Sequence, residues 1–356
     1  MIVPERVSFP FDLHEFCEVI DVRAPAEFEE DHLPGAVNLP VLDDAQRHEV
    51  GLLHASNPFQ ARRTGASLIS RNIHHHLEAY LSEKPKDYAP LVYCWRGNMR
   101  SGSMATILKA VGWRARVLEG GYKAWRKWLM ADLQDRLSAP FPSLIVLGGS
   151  TGCGKTRILQ LLRQQGHQVL DLEELANHKG SILGSPQKGL QPSQKLFESR
   201  LWQMFARFDL SRPVFTEAES NRIGTVQLPG PLWHQLGKAR VLEITMSLSD
   251  RAHFLSQDYR HFVDDPEELK ATLDGLRRLR GHEQIDQWHA QIDAEQWPEF
   301  LESILVHHYD LAYRPLGSAD SNYHRPEATI NVSGPHHEDF EEASAQVLTA
   351  LSAPMP

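Results

Sequence analysis

The sequence predicts an α/β fold in two domains, on the strength of three observations. Residues 91–101 read as strand, cysteine loop, helix. Residues 143–163 read as strand, glycine loop, helix. The length of 356 residues is about twice that of a typical domain. The boundary is expected near residues 133–142, where a helical pattern gives way to two prolines. That assigns 1–135 to the first domain and 136–356 to the second.

In the first domain, residues 17–23 (Cys-Glu-Val-Ile-Asp-Val-Arg) read as a short buried strand, with Asp21 and Arg23 as charged residues at its end. Residues 91–94 form the next apolar run and 116–118 another. Cys94 closes its run at the mouth of a short loop, Trp95-Arg-Gly-Asn-Met99, that ends at Arg100. A cysteine followed six residues later by arginine, between strand and helix, makes an anion cradle with a nucleophile at its centre. Loop N–H groups, the N-terminus of the following helix, Arg96 and Arg100 all favour the thiolate. A buried inert cysteine, the common fate of free thiols, needs neither arginine.

The second domain opens on an apolar strand at 143–148. Gly149-Ser-Thr-Gly-Cys-Gly-Lys-Thr156 then fits G-x-x-x-x-G-K-[ST] without a mismatch, and residues 157–163 have helical spacing. In this P-loop, Gly149, Ser150, Thr151, Gly152, Cys153 and Gly154 offer backbone to a diphosphate. Lys155 reaches its outer oxygens and Thr156 can hold Mg²⁺. Cys153 reads as a small filler. Residues 168–172 are the next expected strand, carrying Asp171 toward the phosphate site. A strand at 214–216 delivers Glu217 and Glu219 to the carboxyl edge of the sheet, where open α/β folds bind ligands. Each of these carboxylates either orders a cation or pairs with Lys155 or Arg222. Beyond residue 249 the domain turns helical: 250–255, 266–280 and 299–309 are amphipathic. A short strand at 328–332 and a helix at 336–351 close the chain.

Composition narrows the function classes. No apolar stretch reaches membrane-spanning length and the N-terminus lacks the regions of a signal peptide, so no membrane association is expected. Three cysteines make no disulfide framework, and a reactive thiol needs a reducing compartment, so the expected location is cytoplasmic. A formal net charge of −9 excludes a broadly basic nucleic-acid binder. Any RNA contact must use local patches: Lys270 with Arg277, Arg278 and Arg280; Arg62 with Arg63; or Lys123 with Arg126 and Lys127. Each is otherwise a solvated helix face. Trp95 either stacks on a splayed base or packs under its loop. His74, His75 and His76 cannot all face one ion on a helix, so no structural metal is expected.

Around Cys94, the segments at 17–23, 24–28 and 32–40 and Glu119-Gly-Gly-Tyr-Lys-Ala-Trp125 resemble the rhodanese (sulfurtransferase) family. The likeness implies a rhodanese-like N-terminal domain whose loop cysteine carries a chalcogen. Asp21 and Arg23 would then support the fold rather than react. A longer resemblance, to the tRNA 2-selenouridine synthase family, adds Val50-Gly-Leu-Leu53, Ala61-Arg-Arg-Thr-Gly65, the P-loop, Asn177-His-Lys-Gly-Ser181, Glu217-Ala-Glu-Ser220 and His308-Tyr-Asp-Leu-Ala-Tyr-Arg314. It implies an N-terminal rhodanese-like domain followed by a P-loop NTPase-like α/β domain with a helical C-terminal part.

The implied substrate is tRNA bearing wobble 2-thiouridine. Its sulfur is first geranylated by geranyl diphosphate, whose leaving diphosphate suits the P-loop. Selenium from selenophosphate then replaces the S-geranyl group, with Cys94 as selenium carrier, and Gly65 matches a glycine associated with the family's activity. From local sequence Gly65 reads equally as a helix kink or cap. Asn98 stands where that active loop commonly has glycine, and asparagine tolerates positive φ. An alternative is a sulfurtransferase fused to an ATP-dependent kinase or ATPase, which needs no RNA. A further one is a non-catalytic binding module, against which Cys94 and its arginines argue.

Overall fold

Two five-stranded parallel sheets organise the computed structural model, which describes residues 3–139, 144–178, 189–258, 265–313, 315–319 and 321–352. Each sheet anchors one compact unit. The first comprises residues 1–136 and 192–206, the second residues 137–191 and 207–356.

The first sheet contains β1 (Glu5–Val7), β2 (Val19–Asp21), β3 (Ala36–Asn38), β4 (Leu91–Tyr93) and β5 (Arg116–Leu118), in the order β1-β5-β4-β2-β3. Successive side chains alternate between two cores, as a pleated strand requires. Ile20, Val92 and Val117 enter one cluster, while Val19, Leu91 and Leu118 enter the other. Helix α1 (Pro25–Glu30) follows β2. Helices α2 (Asp44–Ser56) and α3 (Pro58–Glu78) form a hairpin between β3 and β4. Asn57 caps α3 by accepting from Gln60 N, and Pro58 takes the first helical turn, where its missing N–H costs nothing. Ala61, Gly65, Ile69 and Ile73, four residues apart, form the buried face of α3. Helix α4 (Met99–Val111) runs from the cysteine loop to Gly112, whose φ of +108° ends it, and α5 (Gly121–Ser138) follows β5.

The second sheet contains β6 (Leu144–Gly148), β7 (Gln168–Leu170), β8 (Val214–Glu217), β11 (Arg240–Thr245) and β12 (Ala328–Asn331), ordered β12-β11-β6-β8-β7. A small ribbon of β9 (Arg222–Ile223) and β10 (Val226–Gln227) stands apart. Helices α6 (Lys155–Gln164), α7 (Leu172–Ala176), α8 (Gln194–Arg207) and α9 (Gly230–Leu236) alternate with these strands. A helical part follows: α10 (Leu248–Asp258), α11 (Pro266–Asp274), α12 (Arg277–Arg280), α13 (His282–Asp293), α14 (Trp297–Ile304) and α15 (Asp310–Ala312). Helix α16 (His337–Ser352) packs back on α6.

Three expectations change here. The strand expected at 168–172 stops at Leu170, because the Asp171 side chain accepts from Glu174 N and starts a helix. The single helix expected at 266–280 breaks after Asp274, at Gly275. The helix expected at 299–309 loosens into a π turn at Leu305–Tyr309. The helical pattern of α5 persists to Ser138; residues 140–143, at the proline-rich boundary, lie outside the described residues, as do 179–181 and Arg314. No helix among the described residues is long and apolar enough to cross a membrane.

Residues 192–206, within the stretch assigned from sequence to the second domain, pack in the first unit. Trp202 of α8 meets Trp125 edge-on, with ring centroids 5.1 Å apart, and its indole N–H donates to Asp132 Oδ2 at 2.7 Å. Arg126 pairs with Glu198, and Lys195 reaches Glu30 at 2.6 Å. A cluster of tryptophans around one perpendicular contact holds an amphipathic helix through both area and ring geometry.

Candidate active site: a thiolate loop and a phosphate loop

Cys94 is the first residue after β4, and its buried thiol lies against the first turn of α4. Burial by itself pushes the thiol pKa up. The Ser101 hydroxyl donating to Sγ at 3.3 Å, the N–H groups of Ser101 and Arg96, and the charge of Arg100 together outweigh it and hold the thiol below its usual value. The side chain of Arg96 is exposed, so what it contributes here is its backbone N–H. Arg100 is also held by Glu27 of α1, Nη1 to Oε2 at 2.7 Å, which orients the guanidinium and offsets part of its charge. Ser101 and Glu27 were not singled out from sequence. A hydroxyl one turn into the helix after a cysteine loop was a usable signal for the first, but nothing local marks Glu27.

Two glycines let the loop close. Gly97 has φ +65°, and a Cβ there would sit 2.2 Å from Leu118 O. At Gly121, φ +57°, a Cβ would sit 2.1 Å from Cys94 O. The N–H groups of Tyr122 and Lys123, at the start of α5, donate to the carbonyls of Cys94 and Trp95 at 2.9 and 3.0 Å. Asn98 needs no positive φ: its φ is −107°, and its carbonyl accepts from Gly102 N at 2.8 Å. Trp95 stacks on Tyr122, ring centroids 5.3 Å apart, so the packing reading describes it, whereas Met99 is exposed.

Beneath the loop, Asp21 and Arg23 form a fully buried ion pair at 2.6 Å, and Arg23 also donates to Asp31 O and lies 4.1 Å from the Tyr122 ring centroid. Every charge there is paired or hydrogen-bonded, as burial demands. Gly65 is not a cap: it lies within α3 facing α2, where a Cβ would meet Val50 at 3.4 Å, an ordinary contact.

In the second unit Gly149, Gly152 and Gly154 all have positive φ. A Cβ at Gly149 would lie 2.2 Å from Ile244 O, and one at Gly154 would lie 2.2 Å from the Phe340 ring. Ser150 and Thr151 complete the turn. Lys155 begins α6 and donates to the carbonyls of Gly149 and Ser150 at 2.8 and 3.2 Å, placing its ammonium inside the loop. Cys153 is buried in the sheet's core, as a filler residue should be. Arg251 of α10, missed from sequence, donates to Thr151 O at 2.8 Å and is fixed by Asp310 at 2.6 Å. That gives the 308–314 motif a physical role, because Asp310 holds the arginine that braces the phosphate loop.

The carboxylates divide their work. Asp171 caps α7, and burial pushes its carboxyl up. Glu217 Oε1 accepts from Leu172 N and Glu173 N at 2.7 and 2.9 Å, and neither Lys155 nor Arg222 pairs with it. Its Oε2 is buried with no partner, and burial together with the neighbouring Asp171, Glu173 and Glu219 raises its pKa well above the usual range. Glu173, missed from sequence, lies with Oε2 3.5 Å from Thr156 Oγ1 and hydrogen-bonds to Glu219. Burial and the Glu219 charge push its carboxyl up to about 8. Burial also raises Glu219, against the pull of Lys155, and Tyr323 clasps the Glu219 backbone through N at 2.8 Å and O at 2.5 Å. Thr156 and Glu173 thus put oxygen donors beside the phosphate loop, and Glu217, bonded to Glu173 N, keeps one oxygen unpartnered.

On α3, His74, His75 and Glu78 bring one ligand atom each within 4.8 Å of one another. All three are exposed, and His74 pairs with Glu78 at 3.3 Å, an ordinary surface pair.

The rhodanese-like domain model matches residues 12–127, and the model described as the tRNA 2-selenouridine synthase AAA domain matches residues 142–324. Among curated relatives named tRNA 2-selenouridine synthase, the protein of Alcanivorax borkumensis is 32% identical, the alignment covering 83% of this chain and 88% of the relative. That of Hydrogenovibrio crunogenus is 28% identical over 94% of this chain and 96% of the relative. The Nitrosomonas europaea protein is 35% identical over 68% of this chain, and the chain spans 63% of that relative's length. With both domains matched in order and most of its length aligned, the chain belongs to the tRNA 2-selenouridine synthase family.

Proposed function

We propose that this chain converts wobble 2-thiouridine in tRNA to 2-selenouridine through an S-geranyl intermediate. What supports the reading most is the pairing, in one member of this family, of a stabilised thiolate loop with a phosphate loop. In the first step the thiocarbonyl sulfur bonds to C1 of the geranyl group, the C1–O bond breaks and diphosphate departs with its electron pair. The N3 proton of the nucleobase is lost to solvent. Backbone N–H groups of residues 149–154 and the Lys155 ammonium stabilise the departing charge. Thr156, Glu173 and Glu217 would hold Mg²⁺, which when bound supplies further neutralisation of the diphosphate.

S-alkylation makes sulfur a better leaving group. In the second step selenium, already at the selenide level in selenophosphate, replaces it at C2: the C–Se bond forms, the C–S bond breaks and geranylthiolate leaves. Phosphorus ends as phosphate with one oxygen from water. The Cys94 thiolate attacks phosphorus, so that an S–P bond forms as the P–Se bond breaks and selenide leaves for C2. Water then cleaves the S–P bond, giving phosphate and restoring the thiolate, while the loop amides with Arg100 hold the phosphoryl oxygens. Incubation with 2-thiouridine-containing tRNA, geranyl diphosphate and selenophosphate, followed by nucleoside mass spectrometry, is expected to give 2-selenouridine. Unchanged 2-thiouridine alongside ATP hydrolysis by the same preparation would overturn the reading in favour of a sulfurtransferase–ATPase.

A further inference from the structure

The basic patches named from sequence are not equivalent once their neighbours are known. Lys270 is paired with Glu267 and Asp293, and Arg277 with Asp274 and Asp286. Arg280 bonds to the ring and carbonyl of His308. Arg126 is occupied by Glu198 and Asp31. These four cations are already neutralised or engaged, and a phosphate would have to compete for them; Arg278, Lys123 and Lys127 beside them are exposed without an ion pair among the described residues.

Helix α3 differs. Between residues 57 and 77 there is no aspartate or glutamate. Arg62, Arg63 and Arg71 are all exposed, and no ion pair or hydrogen bond engages any of them among the described residues. On the side of the helix away from the buried face, successive exposed positions carry Phe59, Arg63, Ser67, Ser70, Arg71 and His74, while Arg62 lies off that stripe, half-way round the helix from Arg71. At 1.5 Å per residue, Arg63 to His74 covers roughly 16 Å of helix axis. The small Ala66, Ser67 and Ser70 between the arginines leave room for a chain to lie along the helix. Phe59, 69% exposed in the first turn, adds a bare aromatic ring at one end. The carboxylates of the adjoining α2 are Asp44 and Glu49, and Asp44 is already engaged with Ala26 N.

Unpaired arginines with no carboxylate among them, plus an exposed aromatic ring, complement a phosphodiester chain with an unstacked base. Resting on the tRNA reading above, we infer that the exposed face of α3 is the surface that grips the RNA backbone, with Phe59 positioned to stack on an unpaired base. This resolves how a chain of net charge −9 engages a polyanion: by one local stripe rather than by its overall field.

The test is binding of 2-thiouridine-containing tRNA to the full chain and to an Arg63→Gln/Arg71→Gln variant across a salt series, with thermal unfolding as a check on folding. Both side chains are solvent-exposed, so the fold should be untouched. At about 0.1 M salt the variant is expected to bind at least about ten-fold more weakly. Its plot of log K against log salt should be shallower by about 1.5, since each phosphate contact contributes about 0.7–0.9 to that slope. Equal affinity and equal slope in the two proteins would overturn the assignment of the surface alone. A wild-type chain that binds no tRNA would overturn the proposed function with it. An Arg277→Gln variant, which removes an already paired cation, should bind like the wild type; a ten-fold loss there would place the RNA on the helical part instead.

Discussion

At the scale of single residues, the thiolate at Cys94 depends on a hydroxyl more than on any one arginine. Ser101 supplies a hydrogen bond through its side chain and another through its N–H, while the charge of Arg100 is shared with Glu27. Ser101→Ala is therefore expected to raise the pH midpoint of Cys94 alkylation by iodoacetamide, toward that of an ordinary thiol. The sign follows from the donor's preference for the anion: without it, less thiolate survives at a given pH. An unchanged midpoint would make the hydroxyl irrelevant. Two glycines a short distance apart in sequence should behave oppositely. At Gly97 an added Cβ would collide with the Leu118 carbonyl, at 2.2 Å and at positive φ, so Gly97→Ala should cost about 2–4 kcal/mol in urea unfolding and abolish selenation. At Gly65 the same methyl would meet Val50 at an ordinary 3.4 Å inside a helix. Gly65→Ala should hold or raise Tm, in line with about 0.5–1 kcal/mol of helix propensity. A large drop would show that the α2–α3 packing tolerates nothing there.

Among the elements, those fixed by local chemistry were legible and those fixed by distant partners were not. The β4–loop–α4 and β6–loop–α6 units stand where residues 91–101 and 143–163 placed them. An apolar run, a glycine-rich turn and a helical period are all short-range signals. The end of β7 was misjudged because Asp171 reads as a strand residue until its cap on Glu174 is known. Glu173 and Arg251 escaped notice for a related reason: each meets the phosphate loop through a contact far away in sequence. The docking of α8 in the first unit is the extreme case, since its pattern of apolar residues says only that some face is buried. Trp202→Ala in the full chain should lower the stability of the first unit by about 2–4 kcal/mol, read from its unfolding by intrinsic fluorescence. No loss would mean that the tryptophan cluster is not what holds the helix.

For the molecule as a whole, the proposed modification divides between two loops. In the proposed reaction the phosphate loop, with Lys155 folded onto Gly149 and Ser150, stabilises the departing diphosphate. The thiolate loop, with its amides and Arg100, is arranged for an anion beside a nucleophile. If the division is right, the two steps separate by mutation. The most direct measurement is mass spectrometry of tRNA nucleosides after reaction with both cosubstrates, comparing wild type, Cys94→Ala and Lys155→Ala. Cys94→Ala is expected to accumulate S-geranyl-2-thiouridine and form no 2-selenouridine, while Lys155→Ala leaves 2-thiouridine largely unmodified. Selenation at the wild-type rate by Cys94→Ala, or full geranylation by Lys155→Ala, would contradict it.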